Sequence, residues 1–591
     1  MDKKADEDFQ QQAPPQYDEE HATSAVIDQV CKDAALKGLV LAIISIRSSE
    51  TFHADKLTDD GRIDVDLDSR LSRTLSRLVK VPVLDDHAAL PPPEYRRYAT
   101  ADQFPLRLNI VIQVVGSRGD VQPFVALGNG LQKYGHRVRL ATHAKFESFV
   151  HDAGLEFYPI GGDPEDLMSY MVKNPGLMPS MKSLREGDIS RKREMIVEML
   201  EGCWSSCISP DPLTNEPFVA DAIIANPPSF AHIHCAEALG IPLHLMFTMP
   251  WSATSSFPHP LANITNGSKN PKLANYLSYV MVEVMTWQGL GDVINSWRGR
   301  IGLEPVPNTE GPMLASTLSI PFTYCWSPAL IPKPLDWPAH IDVSGFFFRG
   351  APNYNPPKDL QDFLDTGPPP VYIGFGSIVL DSAAEMSSLI LEAVSACGLR
   401  AIISRGWSRL DGPERSDIFW LEDCPHEWLF QHVSAVVHHG GAGTTACGLR
   451  NARPTAIVPF FGDQPFWGDM VAAAGSGPKP IPHKSLNAEN LAEALRFCHE
   501  EAAQTAAIGI AKQMQEEDGV QAAVLSFLNH LPTDMMQCDF LPDQPASWGL
   551  KVNKKVTKIS RLAAEILVRD EGLDPKNLKV YVRPPRRLHN D

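Results

Sequence analysis

The hydrophobic positions of this chain change their period in a regular order. Leu106 to Gly116, LRLNIVIQVVG, is a near-continuous apolar run closing on a glycine. Such a run suits a strand buried on both faces of a parallel sheet. The turn GSRGDVQP follows, then Phe124, Leu127 and Leu131 at helical spacing up to Gly135, then a second strand, RVRLATH. Strand, glycine-containing turn, helix and strand predict a βαβ unit. The alternation continues through DAIIANPP, Phe230 to Leu239 and IPLHLMFTMP, and Asn275 to Leu303 predicts one long helix. It restarts at PVYIGFGS and runs through Ala383 to Cys397, LRAIISRGW, FWLEDC, AVVHHGG and PTAIVPFFGDQ.

This pattern predicts an α/β protein with two Rossmann-like, doubly wound parallel-sheet units, at 105–330 and 361–530. Two such sheets facing each other bring their carboxyl-end loops into one interdomain cleft. The Pro-rich stretch 331–360 between them is expected to be a linker. Residues 1–104 are expected to be a partly disordered lead-in, acidic and rich in Gln and Pro over Met1 to Glu20. Residues 531–591 are expected to be a basic tail. Its Val556, Ile559, Leu562, Ala563 and Ile566 predict a basic amphipathic helix, and 551–587 holds eleven Lys or Arg against four Asp or Glu.

Composition narrows the function classes. The chain has 591 residues and a net charge of −18, which argues against nucleic acid as the main partner. Ten Cys are too few for a disulfide scaffold, and no zinc-ligand spacing occurs. The charged start has no apolar segment behind it, and the longest nearby apolar run, Leu39 to Ile46, is too short to span a bilayer. A cytoplasmic enzyme is expected, neither secreted nor transmembrane.

Three segments carry candidate chemistry. HHGGAGTT, His438 to Thr445, follows the strand AVV. Its glycines allow close backbone approach, the following helix directs free N–H groups at a ligand, and Thr444, Thr445 and His439 add donors. That is a diphosphate cradle, or else an unliganded strand–helix turn. PFFGDQPFW places Asp463 and Gln464 just past another strand. A carboxylate beside an amide suits sugar hydroxyls, and also suits a simple turn. GSRGDVQP places Asp120 at the first strand–helix turn, as a base for a bound hydroxyl or as a helix cap. The D-x-D strings, Asp6-Glu7-Asp8, Asp64-Val65-Asp66 and Asp66-Leu67-Asp68, all lie in the lead-in, so no metal site is expected.

Together, GSRGDVQPFVALGNGLQKYGHRV, FTMPWSATSSFPHPLAN, VYIGFGSIV, RGW, CPHEWLF, HHGGAGTT and PFFGDQPFW resemble the UDP-dependent glycosyltransferases of family 1. More narrowly they resemble the fungal and plant sterol 3-β-glucosyltransferases. The resemblance covers roughly 105–530 and implies a GT-B fold. It implies inverting, metal-independent glucose transfer from UDP-glucose, a co-substrate rather than a cofactor, to a sterol 3-β-hydroxyl. It makes Asp120 the acceptor-activating base, with Ser117 and Arg118 beside it. His439, Gly441, Gly443, Thr444 and Thr445 become the phosphate loop, and Asp463 and Gln464 the sugar-binding pair. Ser377 falls near the diphosphate, and Trp407 and His426 near the uracil. Trp251, Phe257 and His259 of the TMPW loop become acceptor contacts, His259 as a partner of Asp120 or as a structural group. The relatives' ribose-binding Glu has no counterpart near Cys447. Two rivals stand beside this reading: a terpenoid or other lipid-like acceptor, and a non-catalytic membrane adaptor. The basic tail suits peripheral contact with an anionic membrane.

Overall fold

The computed structural model describes residues 62–66, 100–165, 188–265, 270–348, 354–380, 382–552 and 555–581. Most of the expected lead-in and the basic end at 582–591 lie outside the described residues.

The first unit contains β1 (Ile63–Asp66), β2 (Asn109–Gln113), β3 (Arg137–Thr142), β4 (Glu156–Pro159), β5 (Ala222–Ala225), β6 (Leu243–Phe247), β7 (Ala262–Thr265), β8 (Phe322–Tyr324) and β9 (Ile341–Val343). Seven of these form one parallel sheet in the order β4-β3-β2-β5-β6-β8-β9. β1, which carries Asp64 and Asp66, pairs in parallel with β7. The second unit contains β10 (Val371–Gly374), β11 (Ala401–Ser404), β12 (Ile418–Leu421), β13 (Ala435–His438) and β14 (Thr455–Ile457). They form a parallel sheet in the order β12-β11-β10-β13-β14. Both sheets reverse their winding direction beside their first strand, between β2 and β5 and between β10 and β13. Loops after those strands flank the crevice where open α/β sheets bind ligands.

The helices used below are α1 (Arg118–Gln132), α2 (Asp188–Ile208), α3 (His232–Leu239), α4 (Pro271–Arg300), α5 (Ala383–Cys397), α6 (Ala442–Arg450), α7 (Gln464–Ala473), α8 (Glu501–Glu516) and α9 (Gly519–His530). Periodicity placed α3, α4 and α5 within a few residues. α1 buries Val121, Phe124, Leu127 and Leu131, one apolar stripe, against the sheet. The expected linker differs from its reading. Ile341–Val343 completes the first sheet, and Trp337 and Phe346 are buried in its core. The prolines suggested a spacer, but the apolar residues between them pack.

One hydrophobic cluster joins the two units. It holds Trp326, Trp337 and Phe346 together with Phe466, Trp467, Ile510 and Met514. The chain then crosses back to the first unit. α9 buries Val524, Phe527 and Leu528 with α1. Its Gln521 donates to the Tyr134 hydroxyl at 2.6 Å, and its Ser526 donates to Asp342 at 2.7 Å. The tail also differs from its reading as a single helix. β15 (Ala546–Val552), β16 (Lys555–Ser560) and β17 (Leu578–Val580) form an antiparallel sheet, and α10 (Arg561–Arg569) follows β16. Ser560 ends the strand and caps the helix, accepting from the Ala563 N–H. Arg561 ties this segment to the first unit at Asp221 and the Val219 carbonyl.

Candidate active site

A cleft of about 1000 Å³ runs between the units. Asp120 lies on its first-unit wall. The turn after β2 needs Gly116, whose φ is +145°, because a Cβ there would stand 2.4 Å from Asp120 Oδ2. Ser117 is the N-cap of α1 and Asp120 its third residue, forming a capping box. Asp120 Oδ2 accepts from the Ser117 N–H at 2.7 Å and from its hydroxyl at 3.0 Å. Burial raises the Asp120 pKa, while these bonds and nearby His143 oppose the rise. A raised carboxylate pKa favours proton acceptance. Arg118 also lines the cleft and stacks over Phe149.

The second unit contributes the opposite wall. α6 begins at Gly441 with no side-chain cap, so its first N–H groups face the cleft unsatisfied by the helix itself. Gly441, Gly443, Thr444, His439 and Ser377 line the cleft around that helix end. A Cβ on Gly443 would meet nothing within 4 Å. His439 Nδ1 is buried without a hydrogen-bond partner, and burial and His426 push its pKa down to about 4. The ring is therefore neutral at physiological pH and carries one donor. His426 lines the cleft, stacks on Phe430 and bonds the Tyr372 hydroxyl at 3.0 Å.

Asp463 and Gln464 complete this wall. Gln464 Oε1 accepts from the Phe460 and Phe461 N–H groups, which leaves its amide nitrogen to donate. Burial pushes the Asp463 pKa up to about 6, and Asp120 adds to the rise through space.

One end of the cleft is apolar. Trp251, Leu261, Met285, Leu290, Phe347 and Phe348 line it. The TMPW loop is fixed from behind. The Tyr324 hydroxyl accepts from the Trp251 and Ser252 N–H groups, and Asp336 accepts from Thr254 and the Ser255 N–H.

Four expected contacts do not line this cleft. Thr445 is fully buried and its hydroxyl donates to the Gly441 carbonyl, four residues back, within the helix. Trp407 is 57% exposed. Phe257 packs on Trp337 and Phe466. His259 is buried between Trp251 and Tyr279, accepts the Leu261 N–H at Nδ1, and has its pKa pushed down to about 3 by burial. It has the character of a structural histidine.

Two further side chains support the site from behind. His143, at the end of β3, accepts the Gly116 N–H at Nε2 and donates from Nδ1 to the Gly161 carbonyl, holding the Asp120 turn. Trp467 donates its indole N–H to Asp463 Oδ2 at 2.9 Å. The four-residue spacing from Asp463 on a helix was the available signal.

The glycosyltransferase family 28 N-terminal domain matches residues 110–258, and the erythromycin biosynthesis protein CIII-like C-terminal domain matches residues 417–541. A sterol 3-beta-glucosyltransferase of Arabidopsis thaliana is 47% identical over 436 residues, 73% of this chain and 69% of that protein. A second from the same plant is 48% identical over 72% of this chain and 66% of that protein. The chain thus spans about two thirds of the length of these relatives. Among solved structures, the glycotransferase of kitacinnamycin aligns with a TM-score of 0.54 at 16% identity, over 72% of this chain and all of its own. The calicheamicin glycosyltransferase aligns with a TM-score of 0.53 at 16% identity, over 72% of this chain and 99% of its own. The fold is GT-B, and the chain belongs to the sterol 3-beta-glucosyltransferase family.

Proposed function

We propose that the protein transfers glucose from UDP-glucose to the 3-β-hydroxyl of a sterol, giving a steryl β-glucoside. One observation carries this reading: a single cleft brings the Asp120 carboxylate opposite an uncapped helix end and the Asp463–Gln464 pair. The first unit, near 105–330, holds the acceptor, and the second, near 361–530, holds the donor. The acceptor lies against Trp251 and Met285 with its hydroxyl at Asp120, Ser117 and Arg118 framing that end. Asp120 takes the proton as the oxygen attacks the anomeric carbon in line. The departing UDP carries its charge to the α6 N-terminus, His439 and Thr444. A single displacement inverts the anomeric centre. In this reading no metal takes part, and turnover persists in EDTA.

The test is a UDP-release assay with UDP-glucose and either ergosterol, a polar terpenoid or no acceptor. Sterol-dependent release with a β-linked product supports the assignment. Release only with the terpenoid moves the acceptor class, and no release with any acceptor rejects transferase activity. A sterol acceptor also favours contact with a membrane surface. Among the described residues no helix is long and apolar enough to cross a membrane. The exposed Lys551 and Lys555 suit an anionic surface. Reversing both to Glu is expected to weaken sedimentation with anionic liposomes, and unchanged sedimentation rejects that contact.

A further inference from the structure

The Asp463 carboxylate is used in an unusual way. It stands at the N-cap of α7, where an Asp ordinarily accepts from the helix's own first N–H groups. Here it makes no capping bond. Its partner from another residue is Trp467, one turn into the same helix, which donates at 2.9 Å to Oδ2, beside a backbone hydrogen bond within Asp463 itself. Trp467 is itself fully buried, and the first unit surrounds it. Its ring meets Trp326 edge-on at 6.3 Å between centroids, and Phe346 lies at 6.0 Å. The neighbouring Phe466 meets Phe257 of the TMPW loop at 5.5 Å. Trp326 in turn stacks on Tyr324 at 4.5 Å, the residue whose hydroxyl holds the backbone of Trp251.

We propose that Trp467 is a positioning residue through which the docked first unit aims the Asp463 carboxylate at the donor's sugar. The proposal rests on the assignment of UDP-glucose to this cleft. The indole fixes Oδ2 and leaves Oδ1 to accept sugar hydroxyls. A planar ring clasped by two aromatic side chains has one orientation, so the carboxylate does as well. Freed from the indole, the carboxylate can turn to the Phe466 N–H, since the Gln464 N–H bonds the Phe461 carbonyl and Pro465 has none, and so leave the sugar. The first unit thus shapes donor recognition without touching the donor.

The test compares UDP with UDP-glucose, because UDP lacks the group Asp463 is aimed at. Calorimetric titrations of the full chain and of Trp467→Phe are the measurement. The variant keeps the ring packing and loses the N–H. UDP affinity is expected to stay within about twofold and UDP-glucose affinity to fall about tenfold, the scale of one lost charge-assisted hydrogen bond. The KM for UDP-glucose rises in parallel. Trp326→Phe retains the indole bond and loosens the clasp, so a smaller loss, about threefold and again confined to UDP-glucose, is expected. In an Asp463→Asn background, Trp467→Phe has little further effect. Equal losses for UDP and UDP-glucose, or additive effects with Asp463→Asn, would show a merely structural tryptophan and overturn the proposal. A selective effect of Trp467→Phe without one of Trp326→Phe overturns the first unit's part in it. If the unmodified chain binds no UDP-glucose, the donor assignment falls first and the role of Trp467 with it. Thermal melts of each variant identify any loss of fold, and Trp326→Phe tests the same clasp from the other side.

Discussion

Each unit starts a helix beside its switch point, α1 after β2 in the first and α6 after β13 in the second, and the two starts are finished in opposite ways. Both helices begin after a buried parallel strand and a glycine-containing turn. The first unit closes its helix end upon itself, with Ser117 and Asp120 forming a capping box on α1. The second leaves α6 uncapped at Gly441. A helix end carries positive potential and orphan N–H groups. Where a side chain satisfies them, the site has already spent its attraction for anions, and what remains is a carboxylate held at a fixed place. Where nothing satisfies them, a phosphate can. One cleft therefore has a helix end of positive potential, built from neutral N–H groups, on one wall and a proton-accepting carboxylate, Asp120, on the other.

The comparison can be broken from either side. Asp120→Asn keeps the cap's shape and removes the base, so kcat is expected to fall about a thousandfold with UDP affinity within about twofold, measured by UDP release and calorimetry. Gly443→Ala puts a methyl group where the structure has open space. The fold tolerates it, so the melting temperature holds or rises slightly while UDP affinity falls about tenfold.

Titration sharpens the contrast further. Ionised, Asp463 is the stronger acceptor for sugar hydroxyls, and burial with Asp120 nearby pushes its pKa up to about 6. UDP-glucose affinity therefore weakens as the pH drops below about 6, by several-fold per unit. The Asp463→Asn variant, weaker throughout, shows no such limb. The smallest effect is expected for Ser117→Ala. Losing the cap costs about 1 kcal/mol, read as a melting-temperature drop of about 2–4 °C, with kcat lowered a few-fold because Asp120 loses one of its two anchors.

What could be read from the chain follows the same physics. Apolar runs ending in glycine mark strand ends, and in a doubly wound sheet the ends converge, so the pattern alone brings Asp120, His439, Asp463 and Gln464 toward one cleft, while Ser377 follows only from the family resemblance. Side-chain aim is a different matter. Thr445 lies one helical turn past Gly441, and its hydroxyl is satisfied by the carbonyl beneath it, which helix geometry alone predicts. Phe257 and His259 sit in a loop whose path is set by partners far along the chain, Tyr324, Asp336 and Ser278. No local spacing encodes that. β9 and the C-terminal sheet were hidden for a related reason. β9 pairs with β8 across an intervening loop, and β16 pairs with its neighbour β15, although its Val556 and Ile559 continue a helical spacing into α10.

The return of α9 to the first unit has a mechanical consequence. The chain passes between the units once on the way out, after β9, and once on the way back, between α8 and α9. The two passages touch, since a Cβ on Gly345 would stand 3.1 Å from the Gly519 Cα. Together with the shared cluster of Trp326, Trp337, Phe346 and Trp467, two adjoining covalent passages fix how the units face each other, so the gap across the cleft is set by the fold.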